Sequence, residues 1–309
     1  MPDSSPPHET APFRRIGLVG VGLIGGSVGL AVKAGLGPAV RITGVDPGVS
    51  AAEAVAAGAV DRMSGDVADA CSDADLVILA PPAGEILSVL PRLAGITRPG
   101  VLVTDVAGAK TAICDAGERA LDGHGTFIGG HPMAGAERGG IGAARADLFH
   151  EAAWVLCAGP DQAAPGLTAL ESLIRTVGAR PVRLSPERHD RAVARVSHVP
   201  QLLALALLMQ VADDGHREDL LALAGGGFSD LTRIGSSPFA PWQDVLQQNA
   251  SRIQAALDDL GVSIAVLREL VGTRPERLED LFRKAQGCRR QLGSRRPLGS
   301  VDAADPGPS

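Results

Sequence analysis

A glycine-rich segment near the amino terminus has the spacing of a phosphate-binding turn. Gly20, Gly22 and Gly25 form the pattern GxGxxG, directly after an apolar run typical of a strand and at the start of an Ala-rich stretch typical of a helix. Such glycines permit a tight turn, a close approach of backbone to a pyrophosphate and close packing of helix on strand. Leu23 and Ile24 lie inside the pattern, where helix N–H groups can bind phosphate. The segment therefore predicts a dinucleotide-binding site.

A carboxylate further along the chain indicates which dinucleotide would bind. Asp46 ends the second apolar run, 21 residues after Gly25, where a carboxylate can accept hydrogen bonds from both ribose hydroxyls. No Arg stands beside Asp46 to hold a 2′-phosphate, so we predict NAD rather than NADP. Pro81, in the turn that follows a later run, is predicted to lie at the same sheet edge, near the cofactor. A purely structural turn with a solvated Asp is the alternative.

A histidine between glycines forms a second candidate site. His131 lies in the segment GGHPMAGAERGG, residues 129 to 140, at the end of another apolar run. The glycines give access to the imidazole, Glu137 is close in sequence, and the predicted dinucleotide site shares the same sheet edge. A histidine in this setting could transfer a proton. A structural hydrogen-bonding role is the alternative.

The elements that must position these residues have the pattern of a Rossmann-type α/β domain. Between Arg15 and about Cys157, short apolar runs alternate with Ala-rich helical stretches, which is typical of a parallel sheet built from βαβ units. The runs are IGLVG, VRITGVD, DLVILA, VLVTDV, TFIGG and AWVLCA. A helix over about 161–176 and a strand over about 180–184 complete this NAD-binding domain, which we bound at residues 14–185.

Strand signals end after residue 185, and an all-helical domain is predicted over residues 186–287. Ser185, Pro186 and Glu187 have the types favoured at the start of a helix. The segment VPQLLALALLMQVA is apolar on nearly every face, which predicts burial in a helical core or a subunit interface. The polar segments 1–13 and 288–309, rich in Pro and Gly, are predicted to be a disordered leader and a disordered tail.

Composition restricts the class of protein and of partner. The 309 residues, 45% apolar and 21% charged with a net charge of −6, indicate a soluble globular protein with about two domains. A mildly acidic chain gives no electrostatic footprint for nucleic acid. No run approaches 18 uninterrupted apolar residues and no signal peptide is visible, which predicts a cytoplasmic protein without a membrane partner. The four cysteines lie far apart, so no metal site is predicted.

Five motifs, in order along the chain, make this sequence resemble the prephenate and arogenate dehydrogenases. They are GLVGVGLIGGSVG, TDVAGAK at 104 to 110, HPMAGAERGG at 131 to 140, SHVPQ at 197 to 201 and GGGFSDLTRIGSSPFAPW at 225 to 242. The resemblance covers roughly residues 15–286. Enzymes of this family oxidatively decarboxylate a cyclohexadiene to an aromatic product. The resemblance implies a Rossmann-type domain followed by a helical dimerisation domain, NAD as cofactor, a small-molecule substrate and a homodimer.

The resemblance also implies roles for individual residues. His131 matches the catalytic histidine, which accepts a proton from the C4 substituent as hydride leaves C4. Arg233 is similar to the arginine that holds the ring carboxylate, a task that suits a planar, permanently charged guanidinium. Further substrate-binding positions implied by the motifs are His198, Gln201, Glu137, Asp230, Trp242 and Gly108. Two of these depart from the family pattern, since Gly108 replaces a usual Ser and Gln201 replaces a second His.

Several functions stay open at the level of sequence. The main prediction is NAD-dependent oxidative decarboxylation of prephenate or arogenate. Because Gly108 changes the surroundings of the C4 substituent, 4-amino-4-deoxyprephenate, giving 4-aminophenylpyruvate, is an alternative substrate. A hydroxy-acid dehydrogenase would need a catalytic Lys in the helical half, and residues 186–273 contain none. A non-catalytic NAD-sensing protein is a further alternative, although His131 and Arg233 are both present.

Overall fold

The computed structural model describes residues 13–136, 138–158 and 165–294. The chain divides into two compact units, an α/β unit up to Pro186, to which the residues from Arg289 onward are also assigned, and a helical unit over Glu187–Cys288.

The α/β unit is built on a sheet of eight strands among the described residues, in the order β3-β2-β1-β4-β5-β6-β7-β8. The strands are β1 Arg15–Val19, β2 Arg41–Val45, β3 Arg62–Ser64, β4 Leu76–Leu79, β5 Leu102–Asp105, β6 Thr126–Pro132, β7 Ala153–Cys157 and β8 Arg180–Leu184. The helices are α1 Leu23–Leu36, α2 Ala51–Ala56, α3 Val67–Cys71, α4 Ala83–Leu93, α5 Thr111–Leu121 and α6 Pro165–Thr176.

The sheet is parallel at every pairing except one. Strands β6 and β7 run antiparallel, with His131 opposite Val155, so the predicted parallel sheet contains one antiparallel pairing. The short strand β3, with sequence RMS, was not predicted because three residues carry too little apolar periodicity. Parallel pairing places the carboxyl ends of β2, β1, β4, β5 and β6 at one edge of the sheet.

Both faces of the central strands are covered, which explains why their side chains read as continuous apolar runs. Leu18 and Ile78 point into one core cluster, whereas their neighbours Val19 and Leu79 point into the other. This alternation follows from the two-residue repeat of a strand. The two clusters hold the sheet edge in place from both sides.

The helical unit contains seven α-helices within the described part of the chain. They are α7 Pro186–Val193, α8 Val199–Ala212, α9 Arg217–Leu223, α10 Gly226–Thr232, α11 Ala240–Gln248, α12 Ala250–Leu270 and α13 Pro275–Ser294. A π-helical turn, Ala194–His198, joins α7 to α8, and a 3-10 turn, Arg233–Ser236, follows α10. Ala194, Val199, Ile253 and Ala256 form the core of this unit.

Two predicted boundaries are corrected by the structure. Phe13 is buried in the core of the α/β unit and therefore does not belong to a disordered leader. Residues 288–294 lie in α13, so the predicted tail from residue 288 is wrong over that stretch. The predicted helix over 161–176 is present over Pro165–Thr176, and its predicted first residues lie in 159–164, outside the described ranges, as do 1–12 and 295–309.

The run Pro186–Ala212 is long and apolar enough, by length and composition alone, to cross a membrane. The core helix of a soluble protein passes the same test, and this run carries the buried polar side chains of His189, Asp190 and His198. The absence of a membrane partner stays a prediction.

Candidate active site

The predicted cofactor and catalytic positions of the α/β unit meet at one edge of the sheet. Gly20, Asp46 and Pro81 follow β1, β2 and β4, Gly108 follows β5, and His131 lies near the end of β6. These strands run parallel, so the five positions share the edge where open α/β sheets bind ligands.

The glycine fingerprint has the geometry that a dinucleotide requires. Gly20 has a φ of +85°, and a Cβ there would lie 2.7 Å from the backbone nitrogen of Pro81. A Cβ on Gly25 would lie 2.0 Å from the carbonyl oxygen of Gly20. At Gly22 a Cβ would meet nothing within 4 Å, and no side chain caps the start of α1. The open helix terminus fits the pyrophosphate of NAD.

Asp46 is fixed beside the fingerprint by two backbone groups. Its Oδ2 accepts a hydrogen bond of 2.7 Å from the N–H of Val21, and its Oδ1 accepts one of 2.7 Å from the N–H of Gly48. A carboxylate has lone pairs for further donors, so this arrangement leaves capacity for ribose hydroxyls. The side chains of Leu23 and Ile24 pack against the core cluster, so these two residues can reach a cofactor through their backbone.

His131 is half-buried, and the two glycines before it are required by packing. A Cβ on Gly129 would lie 2.5 Å from the Sγ of Cys114, and one on Gly130 would lie 2.3 Å from the carbonyl oxygen of Asp105. The glycines therefore let β6 approach β5 and α5 closely. The expectation that they mainly give access to the imidazole missed this packing role.

A fully buried ion pair lies beneath the end of β6. The Nζ of Lys110 contacts the Oδ2 of Asp105, and both side chains have an exposed fraction of 0%. Lys110 also donates to the carbonyl oxygen of Gly130 over 2.7 Å. The pair was not among the predicted site residues, although an Asp and a Lys five residues apart in an otherwise small and apolar segment are a signal that could have found it.

In the helical unit, His198 ends the π-helical turn and is 2% exposed. Asn249, which is also buried, donates from Nδ2 to the carbonyl oxygen of Asp190 over 2.8 Å and to the Nδ1 of His198 over 3.3 Å. Because Nδ1 accepts this hydrogen bond, the ring proton lies on Nε2. Burial lowers the pKa of His198 to about 4, the charge of His189 adds to the lowering, and Asp190 opposes it. His198 is therefore a neutral donor at physiological pH.

Trp242 and Gln201 lie in the same unit as His198, but only Trp242 is in ring contact with it. The ring of Trp242 packs edge-on to the His198 ring, with centroids 6.1 Å apart. Gln201 is buried and donates from Nε2 to the carbonyl oxygen of Ile234 over 2.9 Å. Ile234 directly follows Arg233, so Gln201 anchors the turn that carries this arginine.

The remaining predicted substrate positions are exposed or lie outside the described residues. Arg233 begins the 3-10 turn after α10, and Asp230 lies on α10; both are exposed in the single chain. Glu137 lies outside the described ranges. No group of three or more His, Cys, Asp or Glu side chains that could hold a metal occurs among the described residues.

Comparison with known proteins decides the family. Residues 28–183 match the domain family described as prephenate dehydrogenase, nucleotide-binding domain, and residues 185–286 match prephenate dehydrogenase, dimerization domain. The chain belongs to the prephenate dehydrogenase family. The prephenate dehydrogenase of Bacillus subtilis is 37% identical over 275 residues, which is 86% of this chain and 72% of the relative. The cyclohexadienyl dehydrogenase of Zymomonas mobilis is 28% identical and covers 91% and 96% of the two chains.

Solved structures give the same result. Prephenate dehydrogenase from Aquifex aeolicus, in complex with hydroxyphenyl propionate and NAD⁺, superposes with a TM-score of 0.82 at 28% identity, covering 90% of this chain and 98% of that one. The predicted family and fold class, a Rossmann-type domain followed by a helical dimerisation domain, are confirmed. This member of the prephenate dehydrogenase family is an NAD-dependent oxidoreductase.

Proposed function

We propose that this prephenate dehydrogenase homologue oxidatively decarboxylates prephenate or arogenate, with His131 as the base. The observation that carries the proposal is the position of His131, half-buried at the same sheet edge as the NAD fingerprint. An imidazole there is suited to accept a proton near neutral pH.

The reaction needs one base and accurate orientation. NAD supplies the acceptor for the hydride that leaves C4. His131 accepts the proton of the C4 hydroxyl, the bond between the ring and its carboxylate breaks, and its electron pair enters the ring as carbon dioxide departs. Formation of the aromatic ring provides the driving force, so the protein contributes orientation and proton transfer.

The family motifs imply further substrate-binding groups in the helical unit. The guanidinium of Arg233 is a bidentate partner for the ring carboxylate, and Gln201 fixes the turn that carries it. His198 offers an Nε2–H donor without a positive charge, because its pKa is about 4. Trp242 orients the His198 ring, while Asp230 and Glu137 stay candidate substrate contacts from the family motif.

A substrate panel tests the proposal. Wild-type enzyme is assayed with prephenate, arogenate and 4-amino-4-deoxyprephenate, each with NAD and NADP, by the absorbance of the reduced nicotinamide. The variant His131→Asn is expected to lower kcat by about 10² to 10⁴-fold while the Kd for NAD stays unchanged. Full activity of His131→Asn would move the base elsewhere. Absence of activity of the wild type with all three dienes would refute the proposed reaction.

The 4-amino substrate is a second candidate because Gly108 stands where the family usually has Ser. A Ser hydroxyl beside His131 can align a C4 hydroxyl, whereas a C4 amine offers more N–H donors and gains space from glycine. Gly108→Ser is expected to shift kcat/KM toward the hydroxyl substrates if the amine is the natural substituent. If the wild type prefers prephenate or arogenate and Gly108→Ser leaves that preference unchanged, the amine is excluded.

A cytoplasmic homodimer formed through the helical unit is also proposed. Leu205 and Met209 on α8, and Val262 and Val266 on α12, are exposed in the single chain, and residues 185–286 match the dimerization domain of the family. The chain mass is 31.5 kDa, so light scattering distinguishes monomer from dimer directly. A monomer at micromolar concentration would contradict the proposal.

A further inference from the structure

The buried pair of Asp105 and Lys110 holds both peptide segments that the proposed reaction uses in the α/β unit. We propose that the pair is a positioning device, which fixes the end of β6 before His131 and the loop that carries Gly108. The inference rests on the proposed role of His131 as base. Neither side chain is assigned contact with the substrate.

The backbone ladder between β5 and β6 ends before His131. The last paired residues are Thr104 and Ile128. Beyond them, the N–H of Gly130 donates to the Oδ1 of Asp105 over 3.0 Å, and the carbonyl oxygen of Gly130 accepts from the Nζ of Lys110 over 2.7 Å. The side chains of Asp105 and Lys110 therefore replace the strand-to-strand hydrogen bonds at Gly130, the residue next to His131.

The other side of β6 explains why this replacement is needed. His131 lies opposite Val155 on β7 in antiparallel register, and the N–H of Met133 donates to the carbonyl oxygen of Ala153. In such a ladder, alternate residues direct their N–H and C=O groups to opposite sides of the strand. The groups of Gly130 face β5, and without Asp105 and Lys110 they would be buried and unpaired, which is costly.

The same carboxylate also holds the loop after β5. The Oδ2 of Asp105 accepts a hydrogen bond of 2.9 Å from the N–H of Ala107, the residue before Gly108. Lys110, which contacts that oxygen as well, precedes α5. One ion pair thus sets the distance between the segment of Gly108 and the segment of His131.

Stability alone does not explain the pair. Both side chains are completely buried, and replacing a buried ion pair with apolar residues of similar volume is often neutral or stabilising. Hydrogen bonds to two separate backbone segments are what an apolar pair could not supply. A misplacement of about 1 Å in a reacting group can cost about a hundredfold in rate, so accurate placement of His131 is a function that fits the geometry.

The test replaces both charges together, because removing one would leave the other buried and unpaired. The variant combines Asp105→Asn with Lys110→Met, which keeps the size of both side chains and removes the donor to Gly130. The matched control combines Asp61→Asn with Lys33→Met. That pair has an Nζ to Oδ1 distance of 2.9 Å, is about a quarter exposed, and also binds a backbone N–H, that of Ile42.

We expect the control to keep the wild-type kcat, and the Asp105/Lys110 variant to lose about a hundredfold in kcat with an unchanged Kd for NAD. Assays are normalised to the folded, NAD-binding fraction. A residue pair that only stabilises the fold would lower that fraction and leave its kcat intact. A kcat in the Asp105/Lys110 variant equal to that of the control would overturn the inference.

Two further outcomes are informative. If the double variant does not fold, Asp105→Asn combined with Lys110→Gln, which removes both charges and keeps two polar side chains, replaces it, and an unchanged kcat in that variant overturns the inference. If the wild type turns over none of the three dienes, the proposed function fails. Wild-type activity combined with an unaffected Asp105/Lys110 variant refutes the positioning role alone.

Discussion

The burial of His198 predicts a pH dependence of stability that one substitution should remove. Burial lowers the pKa of this imidazole from 6.5 to about 4. Since the unfolded chain then binds more protons than the folded one, acid favours unfolding. The contribution of His198 is fully present above pH 6.5 and is lost as the pH falls toward 4.

The size of the effect follows from the two pKa values. Between pH 7 and pH 5, protonation of His198 in the unfolded chain lowers the free energy of unfolding of the helical unit by about 2 kcal/mol. Other groups titrate in the same range, so the informative quantity is the difference between the wild type and His198→Gln. The glutamine cannot take up a proton. We therefore expect the free energy of unfolding of His198→Gln to fall by about 2 kcal/mol less than that of the wild type between pH 7 and pH 5.

The assay uses the one tryptophan that lies against His198. In a Trp154→Phe background, the fluorescence of Trp242 reports on the helical unit during urea unfolding at pH 7 and pH 5. His216→Gln changes an exposed histidine of the same unit and serves as the control, with the wild-type pH dependence expected. Equal pH dependences in the wild type and His198→Gln would show that His198 is not a buried neutral imidazole.

Three further predictions concern cofactor and substrate. Because Asp46 would repel a 2′-phosphate, kcat/KM should be higher with NAD than with NADP, and the reverse order would contradict our interpretation of this carboxylate. Gly25→Ala should weaken NAD binding by about tenfold or more in a titration, because its Cβ would lie 2.0 Å from the carbonyl oxygen of Gly20. Gly142→Ala is the control and should bind NAD normally, because a Cβ there meets nothing within 4 Å. Arg233→Ala should raise KM for the diene by about tenfold or more, since a hydrogen bond to a charged group contributes about 1.5 to 3 kcal/mol; an unchanged KM would place the carboxylate site elsewhere.

The fold class could be predicted from the sequence because it follows from local patterns. The apolar runs from IGLVG to AWVLCA carry the pattern of buried strands, and the fingerprint at Gly20 carries the turn chemistry of a dinucleotide-binding βαβ unit. The start of α7 at Pro186 is equally local. The antiparallel direction of β7 is different, since an apolar strand has the same pattern in either direction.

The individual positions of the site were predicted by motif, but their surroundings were not. The sequence marked His131, Arg233 and His198, and it marked Gln201 as a substitution for His. That Gln201 is bonded to Ile234, 33 residues away, depends on how the turn after α10 packs on α8. The lowered pKa of His198 likewise depends on burial, and the hydrogen-bond partner of its ring, Asn249, is 51 residues away in the chain.

The sequence by itself determined the cofactor class, the two-part organisation and the candidate base, since glycine spacing, strand ends and helix starts are properties of neighbouring residues. Only the tertiary structure decided which charges are buried and what they hold. Asp105 and Lys110 reach Gly130 across 25 and 20 residues, and such contacts arise when β5, α5 and β6 pack together. Their strength depends on exclusion of water, which no local pattern of residues specifies.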